Sequence, residues 1–301
     1  MTATAERARK RLAHELTGHG WLTEAWQPAF AAVPRHLFLP RFFRQAPDHS
    51  RYEAVDANDP GALELIYSDR VLPTQIDGDD ARWDESRRHG PIDGVPTCSS
   101  TQPALMAVML DALDVTDGHR VLEVGTGTGY NAALLAHRLG SPLVTTVDID
   151  AGLVRRARRS LAAVGYAPTV AVTDGAAGHP DNAPYDRIIA ACSVPQVPAG
   201  WLAQTRPGGV ILTSLPGAVA CPPGRFVGVP RHLHPHGGTG RTASAVDRGG
   251  GPLQPVDRAR QAQPPTHRCD YHPRRATSHA AGLAQRPRRD HRLTGSASGA
   301  G

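Results

Sequence analysis

The chain has 301 residues and a formal net charge of +5, enough length for one or two domains with a sizeable core. The charge is uneven: residues 221–301 hold 13 Arg and four Asp (net +9), whereas residues 1–220 hold 20 basic against 24 acidic side chains (net −4), so the foldable part has no basic stripe for a specific nucleic-acid partner. Four scattered cysteines without a C-x-x-C pair argue against a disulfide framework or a zinc site, and no apolar run reaches the roughly 18 residues of a membrane span.

In chain order, residues 1–98 mix helical patterns with polar loops. A short helix is expected over 6–16 and a second over 25–30. The second ends at VPRHLFLP, where two prolines bracket an apolar turn. The start, MTATAERARKRLAHEL, is charged and lacks the apolar centre of a secretory signal. Residues 75–96 are acidic and show no period. They read as a long surface loop or hairpin, a candidate lid.

Residues 99–217 alternate between strand and helix patterns. A helix over 102–113 places Leu105, Met109 and Leu113 on one stripe. The apolar run 121–124 leads through a Gly-rich turn to a helix over 130–139, which stops at Gly140. A strand over 143–147 follows. Asp150 then caps a helix that turns Leu153, Val154, Ala157 and Leu161 inward. Further strands are expected at 169–172, 187–191 and 210–215, with a short helix at 200–205 and a turn at Pro207-Gly208-Gly209. Continuous apolar strands alternating with amphipathic helices indicate an α/β fold with a doubly wound, mostly parallel sheet.

Residues 218–301 lose this pattern. From 221 onward there is no Ile, Met, Trp or Glu, and only ten residues are Val, Leu, Phe or Tyr. Such a segment cannot offset the roughly 1–2 kcal/mol per residue of backbone ordering, so disorder is expected. The chain uses one Lys against 32 Arg, as a GC-rich gene would. An Arg/Pro/Gly/His-rich run in such a gene is what an altered reading frame produces, and a frameshifted end is the reading adopted.

The chemistry lies in VLEVGTGTGYNAALLA. Its E-x-G-x-G-x-G spacing (Glu123, Gly125, Gly127, Gly129) differs from the dinucleotide G-x-G-x-x-G. The glycines allow a tight turn and close ligand approach, and the following helix offers free amides. Asp148 ends the next strand, 19 residues after Gly129, where a carboxylate can accept both hydroxyls of a ribose. Asp174, beside Gly175 after the third strand, is placed for an adenine amino group, although standing alone it would read rather as an Asp-Gly turn. Three signals at the carboxyl ends of three successive strands point to a nucleoside-type ligand.

These motifs, with Pro207-Gly208-Gly209, resemble the series of class I S-adenosylmethionine-dependent methyltransferases. More narrowly, VPRHLFLP, IYSDRVLPTQ and YDRIIAACSVPQVP resemble segments of the protein-L-isoaspartate O-methyltransferase family, over roughly residues 15–215. Ser99–Pro103 falls where that family carries T-I-S-Q-P, with Thr101 at the serine position. The resemblance implies a Rossmann-like enzyme that uses S-adenosyl-L-methionine and no metal. It implies cofactor contacts from Glu123, Gly125, Thr126, Gly127, Gly129, Asp148, Ile149, Asp174 and Gly175. It further implies an acceptor-orienting hydroxyl on Thr101, and substrate contacts from Ser99, Ser100, Gln102 and Pro103. One of the three hydroxyls at 99–101 is expected to cap the helix that follows; capping by all three stays open.

The implied function is carboxyl O-methylation of L-isoaspartyl residues in proteins or peptides, a repair reaction, by a cytoplasmic monomer. One alternative is aspartyl methylation of a ribosomally made peptide. Another is an inactive cofactor-binding module. Nucleobase methylation is disfavoured, since Cys192-Ser193-Val194-Pro195 replaces the (N/D)-P-P-(Y/F) motif it would need.

Overall fold

The computed structural model describes residues 3–47, 50–214 and 225–228. These lie in a compact unit spanning Met1–Gly237; a second unit, Gly238–Gly301, is outside the described residues. Apart from residues 225–228, the expected disordered and frameshifted end lies outside the described residues.

The amino-terminal region opens with α1 (Ala3–Gly18), whose Ala5, Ala8, Leu12 and Leu16 form one buried stripe. Next come α2 (Gln27–Ala32) and a 3-10 turn at Arg35–Phe38. The sequence pattern missed a hairpin here: β1 (Arg41–Gln45) pairs antiparallel with β2 (Tyr52–Asp56). Each strand buries only two adjacent residues, so neither shows the alternation that marks a half-buried strand. The short helix α3 (Ala62–Ile66) follows.

The segment expected as loop or hairpin is a hairpin that carries a helix. Strands β3 (Leu72–Ile76) and β4 (Pro96–Ser100) pair antiparallel, with α4 (Ala81–His89) between them. Helix α4 buries only Ser86, so it has no apolar stripe to detect. The Ser86 hydroxyl accepts the Ala54 amide (2.9 Å) and donates to the Tyr52 carbonyl (3.3 Å). Ion pairing of Arg87 with Asp59 adds a second tie.

The remaining elements build the main sheet. They are α5 (Pro103–Ala112), β5 (Val121–Val124), α6 (Tyr130–Leu139), β6 (Val144–Asp148), α7 (Ala151–Ala163), β7 (Thr169–Val172), β8 (Tyr185–Ser193), α8 (Ala199–Gln204), β9 (Thr205–Ser214) and β10 (Arg225–Gly228). The order is β10-β9-β8-β5-β6-β7, and every pairing is parallel. Strand β10 falls within the segment expected to lack structure; its backbone pairs with Val210–Thr213 of β9. Strand β9 also starts earlier than its apolar run. Thr205 pairs with Tyr185, the chain bulges through Pro207-Gly208-Gly209, and pairing resumes at Val210 with Arg187.

Successive β5 residues face opposite sides. Val121 joins the larger core with α5 and α6, whereas Leu122 and Val124 join a second core with Ile188, Ala190 and the fully buried Trp201. The sheet is thus covered on both faces. Its carboxyl edge, where β5 meets β6 and β8, is left open for a ligand.

Candidate active site

A cavity of about 530 Å³ opens at the carboxyl ends of β5, β6 and β8. Its floor is the turn after β5. The Gly125 and Thr126 amides both donate to the Val147 carbonyl (2.8 and 3.1 Å), which fastens the turn to β6. Gly129, at φ +86°, enters α6 in the left-handed region, and a Cβ there would lie 3.1 Å from the Ala157 Cβ of α7. Glycine at this position lets α6 and α7 close behind the turn.

Carboxylates surround the floor. Asp148 Oδ2 accepts the Gly127 amide at 2.9 Å, and its Oδ1 accepts the Asp150 amide at 3.1 Å. Asp150 caps α7 through the Gly152 and Leu153 amides and also accepts the Gln75 side-chain amide at 3.0 Å. These bonds, Gln75 foremost, hold its pKa below the usual carboxylate range. Asp174 is exposed and caps the turn Gly175–Ala177 by accepting the Ala176 amide at 2.9 Å. The Asp-Gly turn is therefore real, and Asp174 nonetheless lines the cavity. Gly175 sits so close to Val124 Cγ1 that a Cβ would collide with it, and its carbonyl accepts the Trp201 indole at 2.6 Å. Ile149 is 74% exposed on the cavity rim.

Glu123 is wholly buried. Thr146 donates to Oε2 at 2.6 Å and Asn131 to Oε1 at 2.7 Å, and the Thr126 hydroxyl shares a 2.7 Å bond with that of Thr146. Burial pushes its pKa up to about 7, against the opposing pull of the Thr146 and Asn131 bonds. The Asn131 Oδ1 has no partner among the described residues. Asn131 was not anticipated from sequence; its one signal is an amide on a helix with seven of ten residues buried.

The other wall is the end of β4. A Cβ built on Gly127 would lie 3.5 Å from Cys98 Sγ and 3.9 Å from the Ser99 carbonyl, so this wall touches the turn. Ser99, Ser100 and Thr101 line the cavity; Gln102 and Pro103 do not. The expected cap is corrected. Ser99 and Ser100 belong to β4, and Gln102, the N-cap of α5, makes no side-chain cap bond. Asp69, more than thirty residues upstream, accepts the Ala104 amide at 2.7 Å and the Gln102 side-chain amide at 2.8 Å. A carboxylate brought by another loop takes the amide that a local hydroxyl would otherwise accept.

Among the described residues, three carboxylates and no Lys, Arg or His line the cavity. Such a lining suits a cationic ligand, and the unpartnered Asn131 oxygen suits an ammonium donor. Among the described residues no helix is long and apolar enough to cross a membrane, and no group of three or more His, Cys, Asp or Glu is placed to hold a metal ion.

A nucleoside-type turn answered by carboxylates on the neighbouring strands, beneath a cation-seeking cavity, defines the class: a class I S-adenosylmethionine-dependent methyltransferase. Residues 89–216 match the sequence profile described as protein-L-isoaspartate(D-aspartate) O-methyltransferase. The protein-L-isoaspartate O-methyltransferase of Methanosarcina mazei is 32% identical over 209 residues, 69% of this chain and 70% of that one. One from Archaeoglobus fulgidus is 33% identical over 203 residues, 67% of this chain and 76% of that one. A solved protein-L-isoaspartate O-methyltransferase superposes at TM-score 0.52 and 27% identity over 69% of this chain, spanning 55% of that one. The chain belongs to the protein-L-isoaspartate O-methyltransferase family.

Proposed function

We propose that this protein transfers a methyl group to the carboxylate of L-isoaspartyl residues in proteins or peptides. The observation that carries the reading is the pairing of a carboxylate-lined cavity with a hydroxyl-bearing wall against its glycine turn. The names of relatives 32–33% identical to the chain support the same acceptor.

When bound, S-adenosylmethionine supplies the methyl group; the acceptor oxygen bonds the methyl carbon as the carbon–sulfur pair returns to sulfur. In this reading Asp148 holds the ribose hydroxyls and Asp174 the adenine amino group, with Ile149 against the base. Glu123, Thr126 and Asn131 face the amino-acid end. Ser99 and Thr101 bound the acceptor space, and the Thr101 hydroxyl orients the acceptor carboxylate. That carboxylate is ionised at neutral pH, since its reference pKa is about 4, and no general base is needed. What the chain contributes is alignment and exclusion of water. Among the described residues, no Lys, Arg or His lines this wall. A monomer in the cytoplasm completes the reading.

The test is transfer from labelled S-adenosylmethionine to two matched peptides, one with isoaspartate and one with aspartate at the same place. Label on the isoaspartyl peptide alone is expected. Label on the aspartyl peptide alone would move the assignment to peptide tailoring. Label on neither, with cofactor binding intact by calorimetry, would end the repair reading.

A further inference from the structure

Arg35 is completely buried and has no carboxylate at ion-pair distance among the described residues. Its fork is nonetheless fully used. Nη1 donates to the carbonyls of Ile66 (2.7 Å) and Ser68 (3.2 Å). Nη2 donates to the Arg70 carbonyl (3.2 Å), the Ser100 hydroxyl (3.2 Å) and the Thr101 carbonyl (3.1 Å), and Nε reaches the Ser100 hydroxyl at 3.3 Å. Burial lowers its pKa only to about 10, so it remains a cation at neutral pH.

A buried charge with no carboxylate in direct contact is expensive to keep, even with Asp69 near enough to favour it, and apolar residues would fill the space at lower cost. What a guanidinium offers is a rigid, planar set of donors. Here they join two stretches of backbone: the 66–70 loop and the end of β4. The same loop sends Asp69 to the other side of Thr101, where it holds Gln102 and Ala104. Thr101 lies in neither strand nor helix, so no ladder bond sets its position.

We propose that Arg35 and Asp69 are positioning residues for methyl transfer, gripping the chain on both sides of Thr101 and so setting where the acceptor wall stands. The proposal rests on the reading of Thr101 as the residue that orients the acceptor. The clamp touches no cofactor-lining carboxylate, so its loss should change turnover rather than cofactor binding.

The test uses the full chain with Ser100→Ala, which removes the hydroxyl acceptor, and Asp69→Asn, which removes one of two carboxylate acceptors. Each is expected to lower kcat on the isoaspartyl peptide at least about tenfold, with the cofactor Kd within about twofold of wild type. Amide exchange should quicken at 101–104 and stay unchanged in α6. The double variant Asp69→Asn/Gln102→Glu restores a donor–acceptor pair with the roles reversed and should recover most of kcat. Arg35→Lys keeps the charge without the fork and should behave like Ser100→Ala; if it does not fold, the other variants still decide. Unchanged kcat in both single variants, unchanged exchange at 101–104, or a parallel loss of cofactor affinity would each overturn the proposal. Thr101→Val separates the two ideas. A loss there with intact clamp variants sinks the clamp alone, and no loss there sinks the role of Thr101. Exchange can be read even where no peptide is methylated.

Discussion

The Gly127 amide donates to Asp148 Oδ2 at 2.9 Å, so the carboxylate at the end of β6 is fastened to the cofactor turn. Asp148 also takes the Asp150 amide on its other oxygen. An asparagine keeps only one acceptor and must leave one amide unpaired. Asp148→Asn should weaken S-adenosylmethionine binding by about 10- to 100-fold, the scale of one or two charge-assisted bonds. Calorimetric affinity within twofold of wild type would show that the carboxylate serves the turn and not the ligand.

Glu123 gives a pH signature. Its pKa in the fold is about 7 against a reference of 4.5. Between those values the folded chain keeps a proton that the unfolded chain has released. Wild-type stability therefore falls as pH rises through this window and levels off above it. A glutamine bears no such cost. Glu123→Gln should gain on wild type between about pH 5 and about pH 8, by up to about 3 kcal/mol. Denaturant melts at both pH values check it; a difference independent of pH would mean that Glu123 ionises normally.

Asp174 has two roles to separate. The Asp174→Asn variant retains an oxygen for the Ala176 amide, whereas Asp174→Ala does not. Only the alanine variant should lose stability, about 1 kcal/mol for a lost cap. Both should bind the cofactor more weakly. Unchanged cofactor affinity in both would leave Asp174 as a turn residue alone.

The bulge in β9 makes a contrast between neighbouring glycines. Gly208 is at φ +78° with open space around it, so Gly208→Ala should cost about 1–2 kcal/mol of backbone strain. A Cβ on Gly209 would collide with Thr205 Cγ2 and lie 2.9 Å from the Arg206 carbonyl and 3.0 Å from that of Asp186. Two of those three are backbone atoms, one of β8 and one of the bulge in β9. Gly209→Ala should therefore be the more destabilising change, and thermal melts would rank the two.

The legible parts of the fold are those whose signal is local. The all-buried run of β5, the stripe of α7 and its Asp150 cap each lie within a short window, and the structure carries them with small boundary shifts. Helix α4 was not legible because it is held by a hydroxyl and ion pairs, which leave no apolar period. The start of β9 was hidden because a bulge separates Thr205 from the apolar run it belongs to.

The site divides in the same way. The sequence by itself determined the glycine turn and the carboxylates that end β6 and β7, because a turn, a strand end and a cap are properties of neighbouring residues. Only the tertiary structure decided that Asp69 caps α5, that Asn131 shares Glu123 with Thr146, and that Arg35 holds Ser100 and Thr101. The Asp69 and Arg35 partners lie 31 to 66 residues apart in the chain. Their donors and acceptors carry no sequence period, because a hydrogen bond between distant segments depends on where packing brings the chain and not on spacing along it.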